Sequence, residues 1–348
     1  MSHPLRFGVW APVHGSRAAR HDPDEPHDAS WARNRALVLA AERLGYDSVL
    51  VAQHTVNPYD ETRDQLEAWT ASAALAALTQ RIELIAAIKP GLYHPVVLAK
   101  MALQIEHVSQ GRFSLNLVNA WNRAEFERAG LPFPAHDERY AYGREWIVLV
   151  DRLLRGERVR FEGRHFRVED YQLKPAGTYR ARPTIYVGGE SEPARALVAD
   201  HGDVWFINGQ PIAAVADLIA DVAHRPAAVG RLRYGLSAFV IARETDGEAE
   251  AEFARLLSLS RRDEALRNET RARTDVASVM FAKTDAAASH HVGTNGGTAA
   301  GLVGSYDTVA DRIRAFHAVG IELFMLQFQP FEAEMARFAE QVFPRVRG

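Results

Sequence analysis

The sequence predicts a (β/α)8 barrel with insertion segments at the face where the strands end. Three observations carry that expectation. About eight short apolar runs alternate with helical stretches along 348 residues, the rhythm of a parallel sheet closed on itself. The runs are continuous rather than alternating, as in strands buried on both faces. No Gly-x-Gly-x-x-Gly follows the first run, where a doubly wound dinucleotide fold would carry it. One domain over residues 1–348 is expected, with insertions near 156–182 and 269–301.

Leu5–Ala11 reads as the first strand, stopped by Pro12. Ser30–Leu44 is a helix, with Leu37, Ala41 and Leu44 on one face and Gly45 as its stop. Ser48–Ala52 is a strand, Leu66–Ala77 a helix and Ile82–Ile88 a strand. Pro95–Ser109 is a helix whose Val97, Met101, Ile105 and Val108 form a stripe. Arg112–Val118 is the next strand. It runs into a polar, aromatic loop, and the helix Glu138–Leu154 follows. Gly156–Arg182 holds two short strand-like pieces and reads as a hairpin excursion. Then come strand Thr184–Val187, helix Glu192–Ala199, strand Asp203–Ile207 and helix Ile212–Ala223. Leu236–Ala242 is a strand and Gly247–Leu259 a helix. Helix Asp307–Val319, strand Leu323–Gln327 and helix Phe331–Val342 close the chain. Between them, Glu269–Gly301 is polar and ends in a loose run, HHVGTNGGTAAG. It is expected to be a lid that is mobile without ligand.

Composition narrows the function. With 47% hydrophobic and 24% charged residues the chain can bury a large core. A formal charge of −3 argues against nucleic acid or an anionic membrane as partner. No apolar run reaches the length of a membrane span, and no signal-peptide pattern opens the chain, so a cytoplasmic location is expected. There are no cysteines, which removes thiolate nucleophiles and Cys-based zinc sites. No metal site is expected from the histidine spacing either.

Candidate chemistry gathers at strand ends. Gly188-Gly189-Glu190-Ser191 lies between a strand and a helix. Small residues and a helix N-terminus suit a phosphate there; a tight turn with Ser191 as N-cap is the plainer alternative. Asn116 sits within a strand, where an amide needs a partner: either a ligand or another core group. Arg139 and Tyr140 could clamp an anion, or simply open a helix with His136, Asp137 and Glu138. His54 follows the second strand and faces the barrel mouth, while His290 and His291 lie in the expected lid. Trp10, Trp69 and Trp121 fall at or near strand ends and could wall a pocket or belong to the core.

Several stretches together resemble the bacterial-luciferase-like flavin monooxygenases. They are FGVWAPVHG, AAERLGYDSVL, HPVVLAKMALQIEHVSQGRFSLNLVNAW, HDERYAYGREW, YVGGESEPARALVADHGDVWF and LVGSYDTVADRIRAFHAVGIELFML. The likeness looks closest to the two-component group containing the dimethyl-sulfone, alkanesulfonate and pyrimidine monooxygenases. That resemblance implies reduced FMN (FMNH2) supplied by a separate NAD(P)H-dependent flavin reductase, oxygen activation as a flavin peroxide, and a homodimer or homotetramer. It implies that Gln53, His54, Asn116, Glu125, Arg139, Tyr140, Gly189 and Ser191 hold the cofactor. It makes Trp10, His54, Ser237 and Gln329 the residues expected to frame the reaction. Where the alkanesulfonate enzymes carry an Arg and a His, this chain has Ser237 and Phe239, and it lacks their Cys. Loss of those cations points to a smaller or neutral substrate; C–S cleavage of a small organosulfur compound is expected, a sulfone such as dimethyl sulfone or an alkanesulfonate. An N-heterocycle oxygenase and a flavin-binding protein without oxygenase activity remain alternatives.

Overall fold

The computed structural model describes residues 4–14, 20–26, 28–226, 232–262 and 291–347. Its strands are β1 (Arg6–Trp10), β2 (Ser48–Val51), β3 (Glu83–Ile88), β4 (Phe113–Leu117), β5 (Val159–Glu162), β6 (Arg167–Tyr171), β7 (Thr184–Gly188), β8 (Val204–Ile207), β9 (Arg233–Phe239), β10 (Ile241–Arg243), β11 (Val303–Ser305) and β12 (Ile321–Gln327). The helices are α1 (Trp31–Leu44), α2 (Ala68–Leu78), α3 (Pro95–Val108), α4 (Arg123–Arg128), α5 (His136–Leu154), α6 (Glu192–His201), α7 (Ile212–Ala223), α8 (Asp246–Arg261), α9 (Tyr306–Ala318), α10 (Phe331–Gln341) and α11 (Phe343–Arg347). Eight parallel strands close in the order β1, β12, β9, β8, β7, β4, β3, β2. This is the (β/α)8 barrel the sequence predicts.

Caps explain where several helices begin and end. Ser30 accepts from the Arg33 amide at the start of α1, and Gly45 ends the helix at φ 87°. Pro95 opens α3 behind His94. Thr245 and Glu248 form a reciprocal capping box on α8.

The barrel interior is apolar above and polar below. Leu50, Ile85, Tyr186, Val204, Phe206, Leu323 and Met325 pack together inside, with Trp10 against them. Near the strand starts, Arg6 pairs with Glu83 at 2.5 Å, and Ser114 and Tyr186 also donate to Glu83. Burial would push the Glu83 carboxyl up, but Arg6, Ser114 and Arg180 together hold it below the usual range. Gly8 leaves room here: a Cβ would fall 2.3 Å from Ser48 Oγ and 2.6 Å from Met325 Cε, and both side chains would have to shift. No helix among the described residues is long and apolar enough to cross a membrane.

Four local expectations change. The α3 stripe is misplaced: Val97 and Val108 are exposed, and Leu98, Ala99, Ala102, Leu103 and Ile105 form the buried face. The Leu236–Ala242 strand is two strands. β9 ends at Phe239, and the Ile241 amide then bonds Leu302 instead of the barrel, so β10 pairs with β11 in a separate ladder. The loop after β4 contains the short helix α4, seated by Phe126 against Phe133, Ala120, Leu92 and Leu131. The described third of the expected lid, residues 291–301, is not loose. Val292 is fully buried, Gly209 N–H bonds Asn295 O at 2.9 Å, and the Gln327 amide brackets Thr294 at 3.0 and 3.1 Å. Gly296 sits at φ 85°, where a Cβ would lie 2.0 Å from Gly209 O. Residues 263–290, including His290, lie outside the described residues. The expected hairpin at 156–182 is present as antiparallel β5 and β6.

Candidate active site

Parallel strands bring all their C-terminal ends to one rim, so distant residues meet there. Trp10 closes β1, and its indole N–H donates to Ser237 Oγ on β9 at 3.1 Å. These two residues, 227 positions apart, were both expected at the reaction site.

His54, just beyond β2, belongs to a buried cluster. Lys89 follows β3 directly, and its ammonium donates to Glu125 Oε2 at 2.5 Å and lies 3.0 Å from His54 Nδ1. The second Glu125 oxygen accepts from the Thr55 amide at 2.8 Å. Helix α4 makes this possible: Asn122 caps it through the Glu125 amide, and Phe126 anchors its far side. Burial and then the adjacent Lys89 charge push the His54 imidazole down to about 4, so it is neutral near pH 7. Burial would push the Glu125 carboxyl up, but contacts with His54 and Lys89 hold it down at about 2. Lys89 was not anticipated; a lysine directly after an apolar strand, in ELIAAIK, was its only signal. Glu125 therefore reaches the rim through Lys89.

Among the described residues, the buried atoms Asn116 Oδ1 on β4 and Gln53 Nε2 after β2 have no hydrogen-bond partner. One accepts and the other donates, and each left unmade costs about 1–3 kcal/mol. A ligand edge carrying both donor and acceptor would satisfy them.

A cradle opens after β7. Ser191 is the N-cap of α6, yet its hydroxyl makes no capping bond and instead meets Tyr140 OH at 3.2 Å. Gly189 stands at φ 112°, and a Cβ there would come within 3.1 Å of Ala194 Cβ and 3.3 Å of Tyr140 OH. Two hydroxyls, a helix N-terminus and an open backbone suit a phosphate. The first-turn acid, Glu192, is paired with Arg225 and Arg195. Arg139 is placed differently from a clamp: it donates to Pro134 O at 2.7 Å and lies 4.2 Å over the Phe133 ring. It secures the turn that leads into α5 and Tyr140. Together the cradle and the two unpartnered atoms, Asn116 Oδ1 and Gln53 Nε2, have the donors and acceptors that a phosphate and a flavin ring edge would use.

Two other expected residues are occupied elsewhere. Gln329 is buried and donates to Asp22 at 2.7 Å, which also binds Arg255. It ties the 20–26 segment to the turn after β12, while Arg255 ties that segment to α8. Phe239 packs with Ile241, Ala249, Leu256, Leu259 and Val292, outside the barrel interior.

Ser191→Ala is expected to weaken reduced-FMN binding by about 1–2 kcal/mol, the value of one charge-assisted hydrogen bond. Anaerobic titration of the variant checks this; unchanged affinity removes Ser191 from the phosphate site.

The chain as a whole is similar to known proteins. A family model described as luciferase-like monooxygenase matches residues 5–323. The FMNH2-dependent dimethylsulfone monooxygenase of Pseudomonas putida is 31% identical over 353 aligned residues, covering 100% of this chain and 96% of that one. Among solved structures, a riboflavin lyase superposes with a TM-score of 0.85 at 22% identity, covering 99% of this chain and 92% of that one. An EDTA monooxygenase from Chelativorans sp. BNC1 superposes with a TM-score of 0.77 at 20% identity, covering 99% of this chain and 94% of that one. At such identities the two structures speak for the fold alone.

Proposed function

We propose that the chain, which belongs to the luciferase-like monooxygenase family, is the oxygenase half of a two-component system that cleaves a small sulfone with reduced FMN and oxygen. The family is described as luciferase-like monooxygenase, and the relative from Pseudomonas putida is FMNH2-dependent; the same cofactor is assigned here. Reduced FMN, when bound, supplies the electrons that activate molecular oxygen. Ser191, Gly189 and Tyr140 would hold its phosphate, and Asn116 and Gln53 would bond its ring edge. Trp10, Ser237 and His54 would then face the substrate.

The observation that carries the substrate class is the Trp10–Ser237 pair. It puts a neutral hydroxyl and indole where a sulfonate would want cations. The nearby ammonium, Lys89, is already paired with Glu125. A neutral, polar, compact molecule suits such a wall, and dimethyl sulfone has that chemistry. Loss of the Ser237 hydroxyl would leave the Trp10 N–H without its acceptor.

The remainder of the reading rests on the family. A separate NAD(P)H-dependent flavin reductase supplies the FMNH2, and the chain is one domain that self-associates as a dimer or tetramer in the cytoplasm. The test is turnover with a flavin reductase, NADH and dimethyl sulfone. One oxygen and one reduced FMN should convert one sulfone to methanesulfinate, formaldehyde, water and oxidised FMN. Turnover of uracil with no product from sulfones would overturn the assignment.

A further inference from the structure

We propose that Lys89 is a positioning residue that locks His54 as its neutral Nε2–H tautomer, so that the imidazole offers a hydrogen-bond donor at the barrel mouth. The catalytic use of that donor rests on the reading of the mouth as the reaction site; the tautomer does not.

The argument starts from donor counting. An ammonium has three donors and no acceptor. Lys89 directs one at Glu125 Oε2, 2.5 Å away, and lies 3.0 Å from His54 Nδ1. At that separation an Nδ1–H would confront the ammonium hydrogens, so Nδ1 must accept. The imidazole proton is then on Nε2. Glu125 also lies 3.5 Å from Nδ1, but Lys89 stands closer to both groups and the carboxylate already accepts from Thr55.

The surroundings favour the neutral ring. The ionisable groups facing His54 are Lys89 after β3, Glu125 on α4 and His14 after β1, whose ring centroid is 6.0 Å away. Trp121 closes another side at 5.8 Å without charge. Lys89 and Glu125 cancel one another, so a protonated His54 would add an uncompensated charge to a buried cluster. The polar contacts of the ring among the described residues are all made through Nδ1, which leaves Nε2 to donate.

Lys89 thus does two things. It removes Glu125 as a proton-drawing partner of the imidazole, and it fixes which nitrogen carries hydrogen. Without it, Glu125 would sit beside His54 as an unpaired carboxylate and draw a proton onto the ring.

The test is long-range proton–nitrogen NMR of the apoprotein labelled in histidine, with His54 identified by its loss in His54→Gln. The wild-type ring should show the Nε2–H pattern with no titration midpoint above about pH 5, well below the ordinary value of about 6.5. In Lys89→Met the midpoint should rise above about 6.5, whereas Lys89→Arg should keep the wild-type pattern. Sulfone turnover should accordingly gain an acid limb in Lys89→Met alone. An Nδ1–H pattern, a wild-type midpoint near the ordinary value, or an unmoved midpoint in Lys89→Met would overturn the proposal. If Lys89→Met does not fold, the wild-type tautomer decides. Absence of sulfone turnover would leave the NMR result standing, so the two readings fail separately.

Discussion

Glu125→Gln lowers the folding free energy at pH 7 by about 3 kcal/mol, because it leaves the Lys89 ammonium buried without its counter-charge. The substitution keeps the side chain's volume, so the loss reports charge rather than a cavity. Both partners are almost wholly enclosed, with side-chain exposures of 3% and 0%, so solvent does little to screen the change. Denaturant unfolding of wild type, Glu125→Gln, Lys89→Met and the Lys89→Met/Glu125→Gln double variant measures it. The double variant should recover much of the loss, since no buried charge then remains. A double variant as unstable as the sum of its parts would show that the pair is not coupled.

The same carboxylate sets the pH dependence of that difference. Its folded pKa, about 2, lies below the ordinary value of 4.5 that it has in an unfolded chain. Glu125 therefore contributes stability that is fully present above about pH 4.5 and is lost as pH falls through 2. The gap between wild type and Glu125→Gln should narrow across that window. A gap that stays constant from pH 6 to 2.5 would contradict the ion-pair account.

Gly189→Val is expected to weaken reduced-FMN binding by about 100-fold, or ~2.7 kcal/mol. Two effects combine. The backbone at φ 112° disfavours any side chain, by about 1–2 kcal/mol in comparable left-handed conformations. The valine carbons would also occupy the space between Ala194 and Tyr140 where the phosphate is placed. Anaerobic fluorescence titration gives the affinity, and a circular dichroism melt separates loss of the site from loss of the fold. Wild-type affinity in a folded Gly189→Val protein would move the phosphate elsewhere.

Much of this architecture could be read in the chain because the physics is local. Runs such as LIAAI and VLVA are apolar on both faces, and only a strand buried on both sides needs that. The Gly-Gly-Glu-Ser turn could be read for a similar reason: an open backbone before a helix has few uses. What could not be read depends on partners far away in sequence. β9 and β10 form one continuous apolar run, and only the approach of Leu302 separates them. Helix α4 has six residues, too few to signal themselves, and owes its stability to Phe126 packing on Phe133. The Gly-rich run at 291–301 looked loose because its glycines serve close contacts with Gly209 and Val292 rather than freedom. Lys89 was missed because a lone lysine after a strand normally reaches solvent; here α4 folds a carboxylate over it.

The site follows the same division. Trp10, His54, Asn116 and Ser191 were expected at the rim, and strand order brings them there. Their tuning was not evident, since it rests on contacts such as Lys89–Glu125 and Trp10–Ser237 that join residues 36 and 227 positions apart.

The placement of the flavin across the barrel mouth is tested most directly by anaerobic titration of the apoprotein with reduced FMN and, separately, with reduced riboflavin, which lacks the phosphate. Saturable binding of one reduced FMN per chain is predicted, with riboflavin weaker by at least about tenfold, roughly 1.4 kcal/mol for loss of the phosphate contacts. Absence of saturable binding, or equal affinity for the two, would contradict it.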